Sequence, residues 1–179
     1  TLFLTCMVVA GVLGWVNSIT KDKIAAITWE KTVTAMKEVI SADDFSDAMD
    51  LTDDMTAAAT AQGGTLAAVY QAQSGGQPIG YAINVESSGS QGTISMMVGI
   101  DMDGAVTGVS IVTNSETSGI GSKVMGNEPL TNGTGVLDQF IGKSAADGTL
   151  SVGSNVDAIT GATVSTKGVT TGVNAALAV

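Results

Sequence analysis

The residue types able to do chemistry in this chain are hydroxyls and carboxylates set beside glycine, and they gather in two short stretches. The first is Asp157-Ala158-Ile159-Thr160-Gly161-Ala162-Thr163-Val164-Ser165-Thr166. It reads as a turn that opens the last helix. Thr160 or an immediate neighbour is placed to act as N-cap, because a short side-chain oxygen can accept from the free N–H groups of a first turn. Gly161 lets the backbone bend sharply or approach a ligand closely. Thr163 then falls in or beside the first helical turn, where free amides and the helix dipole favour an anionic group. A hydroxyl so placed could hold a phosphate or be joined to one. On local pattern alone, a capped helix rich in small residues is the competing reading. The second stretch is Ser115-Glu116-Thr117-Ser118-Gly119-Ile120-Gly121. It lacks the Gly-x-x-x-x-Gly-Lys-Ser/Thr pattern of a nucleotide P-loop, so a plain loop and a ligand-contacting loop both remain open.

Composition narrows the chemistry further. The chain has 179 residues, a formal net charge of −10, no His and a single Cys. Without imidazole there is no Ser-His-Asp or Cys-His machinery and no His metal site. Cys6 alone excludes an intrachain disulfide, a multi-cysteine zinc site, a self-contained iron–sulfur cluster and c-type haem attachment. The acidic balance, with no Arg, argues against nucleic-acid binding. Redox chemistry here would have to be carried by an organic cofactor.

The elements that must position these stretches follow from the hydrophobic pattern. Leu2 to Val16 is uncharged and almost wholly apolar, about 15 residues against the roughly 20 needed to span a bilayer. The chain begins at Thr1 rather than Met, so the expectation is a transmembrane helix whose start precedes Thr1. Trp15 is positioned as its interfacial anchor. A cleaved signal peptide and a buried core helix are the alternatives. Lys21, Lys23, Lys31 and Lys37 follow; taken alone, the positive-inside rule puts this side in the cytoplasm. Ile24, Ile27, Val33, Met36 and Ile40 continue at roughly helical spacing. The acidic run Ser41–Asp54 reads as a solvated helix or loop, because it lacks a calcium-loop pattern. Ala57–Gly64 reads as a connector.

From Thr65 the period changes to two. Leu66, Ala68 and Tyr70 alternate, as do Tyr81, Ile83 and Val85 after the Gly75-Gly76-Gln77-Pro78 turn, and then Ile94, Met96, Val98 and Ile100. Asp101-Met102-Asp103-Gly104 is a hairpin turn, with Val109 and Ile111 in a further strand. This predicts an antiparallel meander of about four strands with one face buried. A short helix is expected over Gly135–Lys143, a strand at Leu150 and Val152, and a last helix presenting Val169, Val173 and Leu177. The expected class is α+β: an N-terminal transmembrane helix, then an antiparallel sheet with flanking helices. The expected boundaries are 1–18 for the span, 19–62 for a helical stalk and connector, and 63–179 for the folded domain.

Two motifs that are weak singly become specific together. A Glu-Thr-x-Gly-x-Gly loop follows a β-meander, and about 40 residues on comes Asp-x-x-Ser/Thr-Gly-Ala-Thr before a helix. Ahead of both, a single apolar segment runs into Asn17-Ser18-Ile19-Thr20-Lys21-Asp22-Lys23-Ile24. The chain thus resembles, over essentially its whole length, the FMN-binding domain family, and within it the G subunit of the Rnf electron-transport complex. That complex is a membrane ferredoxin:NAD+ oxidoreductase coupled to ion translocation. The C subunit of the sodium-translocating NADH:quinone oxidoreductase is a near relative, usually longer.

The resemblance implies that FMN is joined through its phosphate to Thr163 by a separate flavin transferase. A threonine hydroxyl is a weak nucleophile that needs outside activation, and no His here could supply it. The family's Glu-Thr-Pro-Gly-Leu-Gly loop corresponds to Glu116–Gly121, with Ser118 in place of Pro and Thr160 in place of the commoner Ser. Implied cofactor-binding residues are Thr163, Thr160, Gly161, Ala162, Glu116, Thr117, Gly119, Gly121 and Lys123. Asp157 is matched and would order the motif or serve the transferase. The implied role is a redox carrier subunit, not catalytic alone. Its implied partners are other subunits of the membrane complex, including a second flavinylated subunit and iron–sulfur-bearing membrane subunits. The resemblance puts the domain on the extracytoplasmic side of the cell membrane, against the lysine pattern. Two other readings stay open: a membrane-tethered binding module with no redox role, in which Thr163 is an ordinary helix residue, and a cell-surface electron-transfer flavoprotein outside any complex.

Overall fold

The computed structural model describes residues 2–179, and the side chains of all of these except Leu4, Asp22, Ala25 and Ala26. Thr1 and the Asp22 side chain, both named in the sequence motifs, lie outside what is described. The apolar N-terminal run and the helical periodicity after it join in one helix, α1 (Leu2–Val39). Apolar side chains near its start, among them Leu2, Phe3, Leu13 and Trp15, are exposed. The expected helix is present, but among the described residues no helix is long and apolar enough to cross a membrane, which leaves the span over 1–18 unconfirmed. The chain divides into two compact units, residues 1–34 and 35–179.

The second unit is built on a five-stranded antiparallel meander in simple sequential order. Its strands are β1 (Asp44–Phe45), β2 (Thr65–Ser74), β3 (Gln77–Ser88), β4 (Thr93–Asp101) and β5 (Val106–Thr113). The predicted hairpin at Asp101–Gly104 is present. The Asp101 carboxylate accepts from the amides of Asp103 at 3.0 Å and Ala105 at 2.9 Å, and Gly104 takes φ +81°, as a tight turn of this kind needs. The short β1 pairs with the far end of β2, Asp44 opposite Gln73.

Helix α4 (Thr163–Leu177) covers one face of the sheet. Val169 and Val173 are fully buried there among Ile83, Val85, Ile94, Met96 and Val98. Small residues let the helix lie close. A Cβ on Gly168 would stand 2.7 Å from the Ser88 carbonyl oxygen, closer than any real side chain approaches backbone. Ser87 Oγ also donates to the Gly168 carbonyl at 2.8 Å. The helix that carries Thr163 is therefore fixed to the two central strands by packing and by a buried hydrogen bond.

The prediction of one buried face was incomplete. Along β4 every residue from Ile94 to Ile100 is buried. The second face is closed by the C-terminal end of α1 and the residue after it: Ala35, Met36, Val39 and Ile40 are buried. A Cβ on Gly99 would lie 2.4 Å from the Val39 carbonyl oxygen, and Thr107 Oγ1 donates to that same oxygen at 2.5 Å. The strand alternation also slips in β2, where an irregularity between Leu66 and Ala68 changes parity. Val69, rather than Ala68 or Tyr70, then joins Leu66 in the α4-facing core.

Three further expectations differ from what is found. Residues Ala57–Ala61 are not a connector but part of α2 (Asp53–Ala61), capped by Thr52 Oγ1 accepting from the Met55 amide at 3.2 Å. An alanine run with Asp53 and Asp54 in the first turn favours a helix. Gly135–Lys143 holds a single 3-10 turn at Asp138–Phe140, which buries Val136, Leu137 and Phe140 but leaves Ile141 exposed. Leu150 and Val152 form no strand. Val152 makes an isolated bridge to Val156, and Leu150 is tied instead to Asn174 of α4 by two hydrogen bonds of 2.9 Å.

Candidate functional site

The site is best built outward from the first turn of α4. Thr163 is its first residue and is exposed. The residue before it, Ala162, occupies the N-cap position, buried and with no oxygen to offer; no side chain caps this helix. Thr160 is therefore not the cap that its residue type suggested. It lies two residues further out, exposed, because the Ala162 amide closes a turn onto the Ile159 carbonyl at 2.9 Å and Gly161 bends the chain with φ +86°. Among the described residues the first-turn amides thus have no side-chain acceptor, an arrangement suited to an anion. Ser165 and Thr166 face inward and are buried.

The Glu116 loop reaches this turn. Glu116 Oε1 accepts from the amides of Ser90 at 2.7 Å and Gln91 at 3.1 Å, in the β3–β4 connection. Glu116 Oε2 accepts from Ser165 Oγ in a short hydrogen bond. Two glycines wall the carboxylate in. A Cβ on Gly89 would come within 2.3 Å of Oε1, and one on Gly121 within 2.2 Å of Oε2. Glycine at 121 is thus required by close approach, whereas at Gly119 open space surrounds the position and φ is +82°, which a turn demands.

After Glu116 the chain closes tightly on itself. The Thr117 carbonyl accepts from the amides of Ile120 at 3.3 Å and Ser122 at 3.2 Å, and the Gly119 amide donates to Ser122 Oγ at 2.8 Å. These bonds define the turn with Ser118, not a proline, at its second position. Helix α3 (Gly121–Met125) follows. Lys123 Nζ is 4.0 Å from Glu128 Oε2, both side chains about half exposed at 45% and 53%, a separation at which a solvated ion pair holds little energy.

A cleft of about 390 Å³ opens beside the motif, lined by Lys123, Glu128, Leu130, Asp157, Ile159 and Thr160 among others, within the size range of small-molecule sites. Its Asp157 wall is held by Gln139, whose side-chain amide exchanges two hydrogen bonds with the Asp157 backbone, N–H donating at 2.8 Å and carbonyl accepting at 2.9 Å.

The fold therefore brings Glu116 and Gly121 against the start of α4, and places Lys123 and Thr160 around one cleft. Thr117 and Gly119 sit on the exposed rim of their loop, with no hydrogen bond to the Thr160–Thr163 turn among the described residues. Sequence reasoning did not single out Ser165, Gln139 or the Ser90 and Gln91 amides. Ser165 carried one legible signal: it is a hydroxyl on the face of α4 that the Val169–Val173 stripe turns inward.

Comparison with known proteins bears on the same residues. Residues 89–178 match the FMN-binding domain. The chain is 34% identical, over 99% of its length and 87% of the relative's, to the G subunit of the Na(+)-translocating ferredoxin:NAD(+) oxidoreductase complex of Acetobacterium woodii. It is 29% identical to the G subunit of the ion-translocating oxidoreductase complex of Methanosarcina acetivorans, over 99% of the chain and 89% of the relative. A proton-translocating counterpart from Clostridium ljungdahlii is 36% identical over 60% of this chain and 57% of its own.

Proposed function

The chain belongs to the FMN-binding domain family, among the G subunits of Rnf-type ion-translocating oxidoreductases, and from that premise we propose that its FMN is held covalently at Thr163. It is an electron-carrier subunit of a ferredoxin:NAD+ oxidoreductase that moves ions, with FMN as its cofactor. The observation that carries the attachment reading is the start of α4. An exposed threonine hydroxyl stands on the first residue of a helix whose first-turn amides no side chain caps. A phosphate joined there accepts from amides already oriented and gains from the helix dipole.

FMN supplies one- or two-electron redox chemistry when bound. This chain's own residues do the rest. Thr163 Oγ1 gives up its proton and forms the bond to phosphorus as the phosphoanhydride of a flavin dinucleotide donor breaks, the nucleoside monophosphate leaving with that proton, so that the protein gains FMN less one water. Gly161 and buried Ala162 set the turn that presents Thr163. Thr160, Lys123 and Asp157 border the adjoining cleft, where the Lys123 ammonium lies available to a phosphate or a ring oxygen. Thr117 and Gly119 supply the exposed rim on the other loop.

The chain works with other subunits of a membrane-associated complex. In finer detail, we infer that these include a second flavinylated subunit and iron–sulfur-bearing membrane subunits, that a flavin transferase loads Thr163, and that the uncharged start of α1 anchors the chain in the bilayer with residues 35–179 on the extracytoplasmic side. The exposed apolar side chains of α1 from Leu2 to Trp15 support that anchoring. A decisive experiment is in-gel fluorescence of denatured protein produced alongside the transferase. Wild type is expected to carry a flavin band that Thr163→Val lacks. A band retained in the variant places the flavin elsewhere, and no band in either refutes covalent attachment.

A further inference from the structure

Glu116 is the carboxylate of the flavin-loop motif, half-buried and with both oxygens bonded inside the protein. Three donors converge on it: the Ser90 and Gln91 amides on Oε1 and the Ser165 hydroxyl on Oε2. Gly89 and Gly121 press against the two oxygens so closely that neither position admits a Cβ. Ser165 is itself 1% exposed, in the same helical turn as Thr163. The carboxylate therefore joins three chain segments: the β3–β4 connection, the 115–121 loop and the start of α4.

From this we propose that Glu116 does not touch the flavin but is a positioning residue, which acts through Ser165 to hold the first turn of α4 and so orient Thr163 for FMN. This rests on the attachment reading above. In an ordinary helix start, an N-cap oxygen fixes the first turn by accepting its amides. Here the cap is Ala162, and the fixing bond comes from the side: a distant carboxylate takes a side-chain hydroxyl of the first turn. The turn is thereby held while its backbone amides stay available to a phosphate. An anionic acceptor near a helix N-terminus is favoured by the dipole as well. Small misplacement of a reacting group lowers rate steeply, so loosening this clamp is felt at Thr163 without any loss of flavin contacts.

The test separates positioning from direct flavin contact by comparing Glu116→Gln, Ser165→Ala and the double variant. Full-length protein is incubated with purified flavin transferase, and the rate of FMN incorporation is measured. Hydrogen exchange is followed on the protein before loading, and the reduction potential and visible spectrum on the protein after it. Positioning predicts that Ser165→Ala slows loading about tenfold, that Glu116→Gln does so similarly, and that the double variant is no slower than either single one. The spectrum then shifts little, and first-turn amides of α4 exchange faster with overall melting nearly unchanged. Direct contact predicts instead that Glu116→Gln shifts potential and spectrum while Ser165→Ala does neither; that result overturns the proposal. Loading at the wild-type rate in Ser165→Ala overturns it too, and that variant removes only one hydroxyl, so it does not depend on the fold surviving loss of the carboxylate. Wild-type protein that accepts no FMN under the same conditions refutes the attachment reading rather than the clamp.

Discussion

Adding one methyl group at Gly121 probes the clamp more sharply than removing the carboxylate, because the structure gives the size of the collision. The new Cβ would lie 2.2 Å from Glu116 Oε2, 2.8 Å from Glu116 Cβ and 2.9 Å from Ser165 Oγ. Ordinary contact needs more than 3.4 Å, so the carboxylate must move by about 1 Å or more, and the Ser165 bond breaks with it. A hydrogen bond to a charged group contributes about 1.5–3 kcal/mol, and the strain of overpacking adds about 1–3 kcal/mol. The backbone at 121 is already helical, so alanine returns up to about 1 kcal/mol. The net expectation for Gly121→Ala is a loss of about 2–6 kcal/mol. Gly119→Ala is the companion variant. It meets nothing within 4 Å but sits at φ +82°, so only the left-handed backbone costs, about 1–2 kcal/mol. For a domain of this size each kcal/mol moves Tm by about 2–4 °C. Thermal unfolding followed by far-ultraviolet circular dichroism should therefore place Gly121→Ala about 4–24 °C below wild type, with Gly119→Ala closer to it. If Gly121→Ala melts with wild type and its Ser90 and Gln91 amides keep their exchange protection, the carboxylate is not held where the structure places it.

Other sites give independent checks. Gly99→Ala sets a Cβ 2.4 Å from the Val39 carbonyl and from Thr107 Oγ1, and should cost about 2–4 kcal/mol in denaturant unfolding, since backbone as well as a hydrogen bond must yield. Gln139→Ala removes both bonds to the Asp157 backbone; a loss of about 1–3 kcal/mol and faster exchange at the Asp157 amide are expected. Asp43 accepts from Ser74 Oγ at 2.8 Å and the Gly75 amide at 3.0 Å, and these bonds hold its carboxyl below the usual aspartate value. Its folded pKa is depressed, so its stabilisation is full above the unfolded value of about 3.9 and fades as pH falls through the lower folded value. Unfolding midpoints of wild type and Asp43→Asn should accordingly differ at about pH 6 and converge in that acid range.

Much of the architecture was legible because it follows local rules. The alternation in β3 and β4, the Asp101–Gly104 turn and the Val169–Val173 stripe of α4 each announce themselves by period and turn chemistry. What escaped was set by tertiary contact. Nothing in the sequence of β4 says that Gly99 receives the end of α1, so the second buried face was missed. The slip in β2 between Leu66 and Ala68 leaves no compositional mark. Segment 127–157 lacks regular period because side-chain amides of Asn127, Gln139 and Asn174 tie its backbone in place of strand or helix. At the site, the motif stretch around Thr163 was readable. The pairing of Glu116 with Ser165, 49 residues apart, required the fold. Helix α2 is different in kind: Thr52, two aspartates and an alanine run are an ordinary helix start, legible in the sequence.

The proposed attachment at Thr163 is tested most directly by fragmentation mass spectrometry on the peptide between Lys143 and Lys167. Close to Thr163 that peptide carries Thr160, Ser165 and Thr166 as competing hydroxyls. The account predicts a mass increase of one FMN less water, localised to Thr163, with Thr160, Ser165 and Thr166 unmodified. The same mass found on any other hydroxyl, or an unmodified peptide from protein loaded in the presence of the transferase, would contradict it.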